Sequence, residues 1–175
     1  RNHGMSLAKG EYIRFLDDDD YFYPEMASKQ LVNLIEIDGD LSFGDIKAVD
    51  AECGSEVVFK QLDTDDYYTA VLSPTHSTAV NALVYKRELI KNLLWDVSIN
   101  KNQDVYWAMQ LCKFREMRTI RFEGVVAAWV QHKLPRVSQG HHPDKFSKET
   151  VNHILGLINK LNEKNALTEP RRKAA

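Results

Sequence analysis

The chain has 175 residues, of which 43% are hydrophobic, 27% charged and 10% aromatic. The length fits one domain of ordinary size, and the composition argues against a disordered chain, a collagen-like repeat and a disulfide framework. Twenty-three Lys and Arg residues against 25 Asp and Glu residues leave a net charge of −2. No overall field therefore favours a nucleic-acid partner.

The cysteines and the apolar runs of the sequence bear on the cellular compartment. Cys53 and Cys112 lie far apart and belong to no CxxC or Cys/His spacing, so neither a disulfide scaffold nor a zinc site is indicated. The longest apolar run, Val125 to Val130, is far shorter than the roughly 20 residues that cross a bilayer. We expect a cytoplasmic protein without a transmembrane segment, either soluble or peripheral at the inner face of a membrane.

The first part of the chain predicts a strand, a helix and a hairpin. The alternation from Glu11 to Leu16 is typical of a buried strand. Pro24 opens a helix, because the apolar residues after it recur at helical spacing until Asp38. Two strands follow between Leu41 and Phe59, with a turn predicted at Glu52 to Ser55.

The second part of the chain alternates helices and strands, which indicates an α/β domain. Asn102 is placed to cap a helix, and the apolar residues of the last helix recur on one face. The tail from Thr168 to Ala175 is polar, and we expect it to be frayed. The predicted helices span 63–72, 102–117 and 147–164, and the predicted strands span 78–85 and 119–130.

Four consecutive aspartates, Asp17 to Asp20, follow the first predicted strand and precede an aromatic segment that ends at Pro24. A run of acids is usually a solvated face, but apolar neighbours on both sides hold this run near the core. Ligands of open α/β sheets bind at the carboxyl ends of strands. Crowded carboxylates repel one another, and a hard divalent cation with oxygen ligands relieves that repulsion. Two interpretations stay open: a site for Mg²⁺, Mn²⁺ or Ca²⁺, and a capped turn.

The residues around this run carry a resemblance to a known family. RNHG at positions 1–4, AKGEYIRFLDDDD at positions 8–20 and Pro24 closely resemble the pattern A-R-N-x-G, A-x-G-x-Y-I, F-L-D-x-D-D, P of family 2 glycosyltransferases. The resemblance implies a GT-A-like α/β fold, with a mixed sheet flanked by helices, and sugar transfer from a nucleotide-diphosphate donor with inversion. It also implies that the sequence begins after the first βα units of that fold.

A looser resemblance extends to about residue 140. Trp95-Asp96 and Gln103-Asp104 stand where the family has f-D and E-D, and His132 followed by Arg136-Val137-Ser138 resembles the family's H, then S. The resemblance therefore implies a division of the chain into two parts. These are a partial GT-A catalytic domain at 1–140, with the metal, donor and acceptor sites, and an amphipathic helix with a polar tail at 141–175.

Carried over position by position, the resemblance implies roles for the acids. Asp17 and Asp19 match the D-x-D aspartates and would bind Mn²⁺ or Mg²⁺, with Asp19 as the direct ligand. His132 is a further metal or diphosphate contact, and Asp104 matches the base that activates the acceptor. The implied donor-binding residues are Arg1, Asp17, Asp18, Asp20 and Arg136.

Asp104 also has an ordinary structural interpretation. With Asn102 as the cap it lies in the first turn of a helix, where the helix dipole stabilises a negative charge by about 0.3–1 kcal/mol. It shares a helical face with Ala108 and Leu111, so its carboxylate leaves the helix beside apolar side chains. Sugar transfer needs such a group, because the attacking hydroxyl loses its proton, and a positioned carboxylate contributes about 10²–10⁴-fold. Gln103 departs from the Glu that is usual in the family.

Three functions follow from these observations. The leading hypothesis is metal-assisted, inverting transfer from a UDP- or dTDP-type sugar to a glycan, lipid-linked or protein acceptor. The alternative, which Gln103 favours, is a catalytically inactive fragment that binds a nucleotide sugar or a divalent cation. A third is an interaction domain whose last helix docks on a partner. The rings of Trp95, Trp107 and Trp129 are suited to stacking on sugars, although aromatic residues at such spacings more often belong to the core.

Overall fold

The computed structural model describes residues 1–73, 79–99, 103–114, 116–133 and 148–175, with the backbone alone for residues 114 and 148–150. The helices within these ranges are α1 (Asn2–Leu7), α2 (Pro24–Glu36), α3 (Tyr67–Leu72), α4 (Arg87–Ile90), α5 (Gln103–Phe114), α6 (Lys148–Glu163) and α7 (Glu169–Ala174). The strands are β1 (Tyr12–Ile13), β2 (Tyr21–Phe22), β3 (Leu41–Asp50), β4 (Glu56–Phe59), β5 (Leu83–Lys86) and β6 (Thr119–Gln131). A 3₁₀ turn at Val80–Ala82 precedes β5.

In the described part of the chain the strands form one mixed sheet. Its order is β1-β5-β3-β6-β2, and β4 pairs with β3 beyond the end of β5. β3 and β6 are parallel, from Leu41 opposite Thr119 to Asp50 opposite Gln131, and the other pairs are antiparallel. Helices α2 and α3 both pack on β6. The predicted α/β class, with a mixed sheet flanked by helices, is confirmed.

The pairing of β6 with β3 contains an irregularity. The register against β3 shifts around Asp45, and Gly124 has a φ of +153°. A Cβ at Gly124 would lie 2.4 Å from the terminal methyl of Met26 in α2, which is flexible enough to shift. The positive φ is therefore what favours glycine at this position. Past this point β6 continues to Val130, whose N–H donates to Asp20 Oδ1 at 3.0 Å.

The core is built on aromatic side chains. Each buries roughly 150–250 Å², so these residues supply much of the apolar area removed from water. Phe43 of β3 packs on Tyr67 of α3 with ring centroids 5.3 Å apart. The largest aromatic side chains that are fully buried are Trp107, Tyr67, Tyr68, Tyr85 and Phe43.

Two predicted strands are shorter than the sequence indicated. The strand predicted from Glu11 to Leu16 is reduced to β1 (Tyr12–Ile13). The next residue, Arg14, directs its side chain toward α2. Arg14 donates to the carbonyl oxygen of Ala27 at 2.5 Å and to Gln30 Oε1 at 2.8 Å. Burial lowers the pKa of the Arg14 guanidinium to about 10. The strand predicted at 78–85 begins at Leu83, since the 3₁₀ turn occupies the residues before it.

The predicted helices agree with the structure except near their ends. α3 begins at Tyr67 rather than at residue 63, because Asp66 caps it by accepting a hydrogen bond from the Tyr68 N–H at 3.3 Å. The helix predicted to run to about residue 117 ends as α5 at Phe114. Its predicted cap, Asn102, lies outside the described residues.

The prediction of a frayed tail is wrong, because Arg171 anchors α7 on the domain. Arg171 is 9% exposed, and its guanidinium donates to both Asp66 oxygens, at 2.8 and 2.9 Å. The same group lies 4.1 Å from the centroid of the Tyr68 ring. The preceding helix, α6, packs against α5 and buries Leu157 and Leu161. Both carboxyl-terminal helices therefore contribute to the core.

Replacing Arg171 by methionine is expected to lower the free energy of unfolding by about 2 kcal/mol at pH 7, because Asp66 keeps its charge but loses its partner. Burial opposes the charge of Asp66, but hydrogen bonds from Arg171 and Thr69 outweigh it and lower the pKa of that carboxyl. The stabilisation is therefore present above the unfolded pKa of about 3.9 and is lost as the pH falls through the lower folded pKa.

Urea unfolding of wild type and of the methionine variant at pH 7 and in acid checks this result. The difference between the two proteins should shrink below about pH 4. Equal stability at pH 7 would show that the tail is not anchored by Arg171.

The two cysteines lie in different environments. Cys53 is exposed, Cys112 is buried, and both are free of disulfide bonds. Burial raises the pKa of the Cys112 thiol, so this thiol stays protonated at neutral pH. Within the described ranges, no helix combines the length and apolar character that a bilayer span requires.

Candidate active site

The four aspartates form the connection between β1 and β2. The Asp20 N–H donates to the Asp17 carbonyl oxygen at 3.1 Å, which closes a turn. Asp17, Asp19 and Asp20 are partly buried, and Asp18 is exposed. The run is therefore a turn held by hydrogen bonds, and not by burial of its immediate neighbours, because Leu16 and Tyr21 are 46% and 43% exposed.

Asp17 is paired with Arg1. The guanidinium lies 2.5 Å from Asp17 Oδ1, and it also lies 4.4 Å from the ring centroid of Trp95, within cation–π range. The Asn2 side chain makes two hydrogen bonds to the backbone of Trp95. Its Nδ2 donates to the Trp95 carbonyl oxygen and its Oδ1 accepts from the Trp95 N–H, each at 2.8 Å. The structure thus brings together two of the residues predicted for the donor, and Trp95 supports them.

Asp19 meets His132 across 113 residues of sequence. Its Oδ2 lies 3.0 Å from His132 Nε2, just after the end of β6. The His132 side chain is 20% exposed, and its Nδ1 is buried without a hydrogen-bond partner among the described residues. Two of the three side chains predicted to bind the metal, Asp19 and His132, therefore lie side by side.

Asp20 is bound by the protein at both of its oxygens. Oδ1 accepts from the Val130 N–H at 3.0 Å, and Oδ2 accepts from Asn81 Nδ2 at 2.8 Å. Asn81 is not among the residues predicted for the site, and its only distinguishing feature in the sequence is that it is polar within an apolar stretch. Part of the repulsion among the carboxylates is therefore relieved by protein groups.

Asp104 lies in the first turn of α5 and is partly buried. Burial, followed by the charge of Asp104, raises the pKa of Tyr85 well above 10, while Arg1 acts in the opposite direction. Burial is also the main cause of the raised pKa of Tyr67, to which Asp104 contributes. The charge of Asp104 therefore acts on the hydroxyls of Tyr85 and Tyr67, which stay protonated at neutral pH. The pKa of Tyr85 is affected by both Asp104 and Arg1.

Stacked aromatic rings join α5 to the aspartate turn. Trp95 and Trp107 are parallel, with centroids 4.7 Å apart and an interplanar angle of 5°. Phe15 meets both edge to face, at 5.4 and 5.6 Å. Phe15 lies two residues before Asp17, and Trp107 lies three residues after Asp104. This aromatic cluster therefore links the helix that carries Asp104 to the acidic turn.

The three tryptophans have different environments. Trp95 and Trp107 are 6% and 1% exposed and belong to the core, as aromatic residues at their spacing usually do. Trp129 is 39% exposed and lies 6.4 Å from the ring of Phe59, which is 42% exposed. Among the tryptophans, Trp129 therefore has the ring that a ligand can reach.

Gln103 and Arg136 are the remaining residues that the sequence singles out. The Gln103 amide donates to the carbonyl oxygen of Ile99, four residues earlier. Gln103 is therefore engaged with the backbone at the start of α5, and Asp104 is the acid of this pair. Arg136 lies outside the described residues.

Asp19 of the turn and the adjacent His132 are the side chains that could hold a cation in an open site. In the part of the chain that the structure describes, no group of three or more His, Cys, Asp and Glu side chains is arranged to hold a metal ion. Asp19 and His132 supply an oxygen and a nitrogen 3.0 Å apart. Mg²⁺ sites at phosphates typically use one or two protein carboxylates and complete the coordination with water and phosphate oxygens. The residues therefore suit a cation that a diphosphate helps to hold, and do not suit a closed structural site.

Comparison with known proteins identifies the class to which this fold and site belong. The sequence profile of the family described as Glycosyl transferase family 2 matches residues 1–100. The chain belongs to glycosyl transferase family 2. It is similar to the uncharacterized glycosyltransferase YibD of Escherichia coli (strain K12), with 26% identity over 185 residues, 93% of this chain and 51% of YibD. The chain thus spans about half the length of that relative.

Solved structures show the same fold. S. aureus TarS 1–349 in complex with UDP-GlcNAc matches with a TM-score of 0.63 and 20% identity, over 92% of this chain and 46% of that chain. A second structure of S. aureus TarS matches with a TM-score of 0.59 and 19% identity, over 98% of this chain and 28% of that one. The expected GT-A-like arrangement is confirmed.

Proposed function

We propose that this chain carries the donor, metal and acceptor groups of an inverting glycosyltransferase. The proposal rests mainly on the aromatic cluster of Phe15, Trp95 and Trp107, which links the acidic turn to the helix of Asp104. Family membership supports the class of reaction. The UDP-GlcNAc complex of TarS supports a UDP-type sugar as donor, with a dTDP-type sugar as the other candidate.

The donor side of the proposed site is the turn with its basic neighbour. Asp17, Asp19 and His132 would hold Mn²⁺ or Mg²⁺, and Arg1 would contact the donor nucleotide. When bound, the cation supplies positive charge that stabilises the departing diphosphate. The nearby guanidinium of Arg1 adds charge of the same sign. Asp18, Asp20 and Arg136 complete the donor-binding residues in this proposal.

The acceptor side is Asp104. The acceptor hydroxyl oxygen forms a bond to the anomeric carbon as the bond from that carbon to the diphosphate breaks, and the hydroxyl proton passes to the Asp104 carboxylate. Attack from the face opposite the leaving group inverts the anomeric centre. The partly buried position of Asp104 in the first turn of α5 supports this role. The acceptor is a glycan, a lipid-linked sugar or a protein.

The proposal also includes a division of the chain and a cellular location. The division into a catalytic part at 1–140 and a carboxyl-terminal part at 141–175 stays a prediction. A cytoplasmic location is supported by the free thiols of Cys53 and Cys112.

A donor screen tests the proposed function. The chain is incubated with UDP- and dTDP-sugars in Mn²⁺, and release of the nucleoside diphosphate is measured with and without candidate acceptors. We expect release with one donor class and its suppression by EDTA. Binding of UDP with Mn²⁺ but without turnover would favour the alternative, a catalytically inactive domain that holds a nucleotide sugar or a cation. Absence of both binding and turnover would contradict both functions.

A further inference from the structure

Asn81 holds Asp20 in place from inside the protein. Asn81 is 2% exposed and lies 61 residues from Asp20 in sequence. Its Nδ2 donates to Asp20 Oδ2 at 2.8 Å and to the carbonyl oxygen of Ala128 in β6 at 3.4 Å. Because the Val130 N–H binds the other oxygen of Asp20, the carboxylate is clamped between the 3₁₀ turn and β6.

The orientation of the Asn81 amide follows from its partners. A carboxylate and a backbone carbonyl only accept hydrogen bonds, so the NH₂ group must face both of them. The amide oxygen is consequently left in the interior, where no described residue donates a hydrogen bond to it. An unsatisfied buried acceptor is unfavourable. This unfavourable feature occurs in the side chain that donates to Asp20 Oδ2.

An amide suits this contact better than a basic side chain. Lysine or arginine at position 81 would hold Asp20 but would also neutralise it, whereas an amide donates a hydrogen bond and leaves the negative charge in the cluster. The turn that carries Asn81 is itself fixed, because buried Gln30 donates to the Ala82 carbonyl oxygen at 3.0 Å. Gln30 in turn accepts from Arg14 at 2.8 Å. Asn81 is therefore carried by a turn that has fixed contacts of its own.

We propose that Asn81 is a positioning residue of the donor site. It acts through Asp20 to hold the turn Asp17–Asp20 in the conformation that binds the cation and the donor diphosphate. This inference rests on the proposed function. The Asn81 contact with Asp20 includes none of the aromatic residues Phe15, Trp95 and Trp107 that pack between the turn and the helix of Asp104. The loss of Asn81 therefore weakens donor binding and leaves the chemical step at saturation nearly unchanged.

A double-mutant cycle on the whole chain tests this role. The variants are Asn81→Ala, Asp20→Asn and the two combined, and calorimetry measures the affinity for UDP in the presence of Mn²⁺. Ser42→Ala is the matched control, because Ser42 is fully buried in β3 and its hydroxyl has no hydrogen-bond partner in the described ranges. Asn81→Ser replaces Asn81→Ala if the latter does not unfold cooperatively in urea.

We expect Asn81→Ala to weaken UDP binding by about 10- to 100-fold, as removal of a partner of a metal-site residue typically does, and Ser42→Ala to leave it unchanged. The combined variant should bind no more weakly than Asp20→Asn, since coupled residues are not additive. Independent, multiplying losses would overturn the inference, and so would lower stability with unchanged affinity. If wild type itself binds neither Mn²⁺ nor UDP, the proposed function fails and this inference fails with it.

Discussion

Asp104→Asn is expected to lower kcat by about 10²- to 10⁴-fold, the contribution typical of a positioned general base. The substitution keeps the shape of the side chain but removes its ability to accept the acceptor proton. UDP binding in Mn²⁺ should be unchanged, because the proposed donor side is built on the pairs Arg1–Asp17 and Asp19–His132. Initial rates at saturating donor and acceptor, with calorimetry on the same preparations, give both quantities.

Gln103→Glu is the matched control for this experiment. It restores the acid that is usual in the family at the neighbouring position, and the Gln103 side chain is engaged with the Ile99 carbonyl oxygen. Turnover should survive Gln103→Glu alone, and combining it with Asp104→Asn should not rescue the loss. Retained turnover in Asp104→Asn would assign the base to another residue.

Asp19→Ala is expected to weaken Mn²⁺-dependent UDP binding by more than about 100-fold, because losing a direct ligand exceeds the roughly 10- to 100-fold loss that an outer partner causes. His132 then remains without the carboxylate that lies 3.0 Å from it. Calorimetric titration of UDP, with Mn²⁺ and with EDTA, measures the effect.

Asp63→Ala is the control for the loss of one negative charge, because the Asp63 side chain is 99% exposed and lies outside the turn. Its affinity for UDP should match wild type. If Asp19→Ala bound UDP as tightly as Asp63→Ala, Asp19 would not be a ligand, and the D-x-D match would have no functional meaning in this chain.

The parts of the fold that the sequence predicts are those with a local signal. α2 begins at Pro24, where proline supplies a fixed φ and lacks an N–H that the helix start cannot use. The hairpin of β3 and β4 follows from two apolar runs around a turn. The aspartate turn could be placed for the same reason, because a strand and an aromatic segment flank it. Composition and periodicity are enough for such elements.

The contacts that complete the site have no local signal. Asn2 meets Trp95, Asp19 meets His132 and Asp20 meets Asn81, over 93, 113 and 61 residues of sequence. A polar side chain shows no periodicity that reveals a distant partner, so the resemblance suggested His132 and nothing suggested Asn81.

The error at the tail has the same origin. Arg171 is one of several basic residues in a polar segment, and its burial depends on Asp66, 105 residues earlier. The exposed ring of Trp129 could not be told from the buried rings by spacing, because its strand neighbours are equally apolar.

The most direct measurement is a crystal structure of the chain soaked with Mn²⁺ and UDP, with anomalous scattering recorded at the manganese edge. We expect one manganese peak bonded to Asp19 and to a diphosphate oxygen, with Arg1 beside the nucleotide and the Asn81 contact to Asp20 intact. A diphosphate bound elsewhere, or a turn without manganese whose carboxylates face bulk water, would contradict the account.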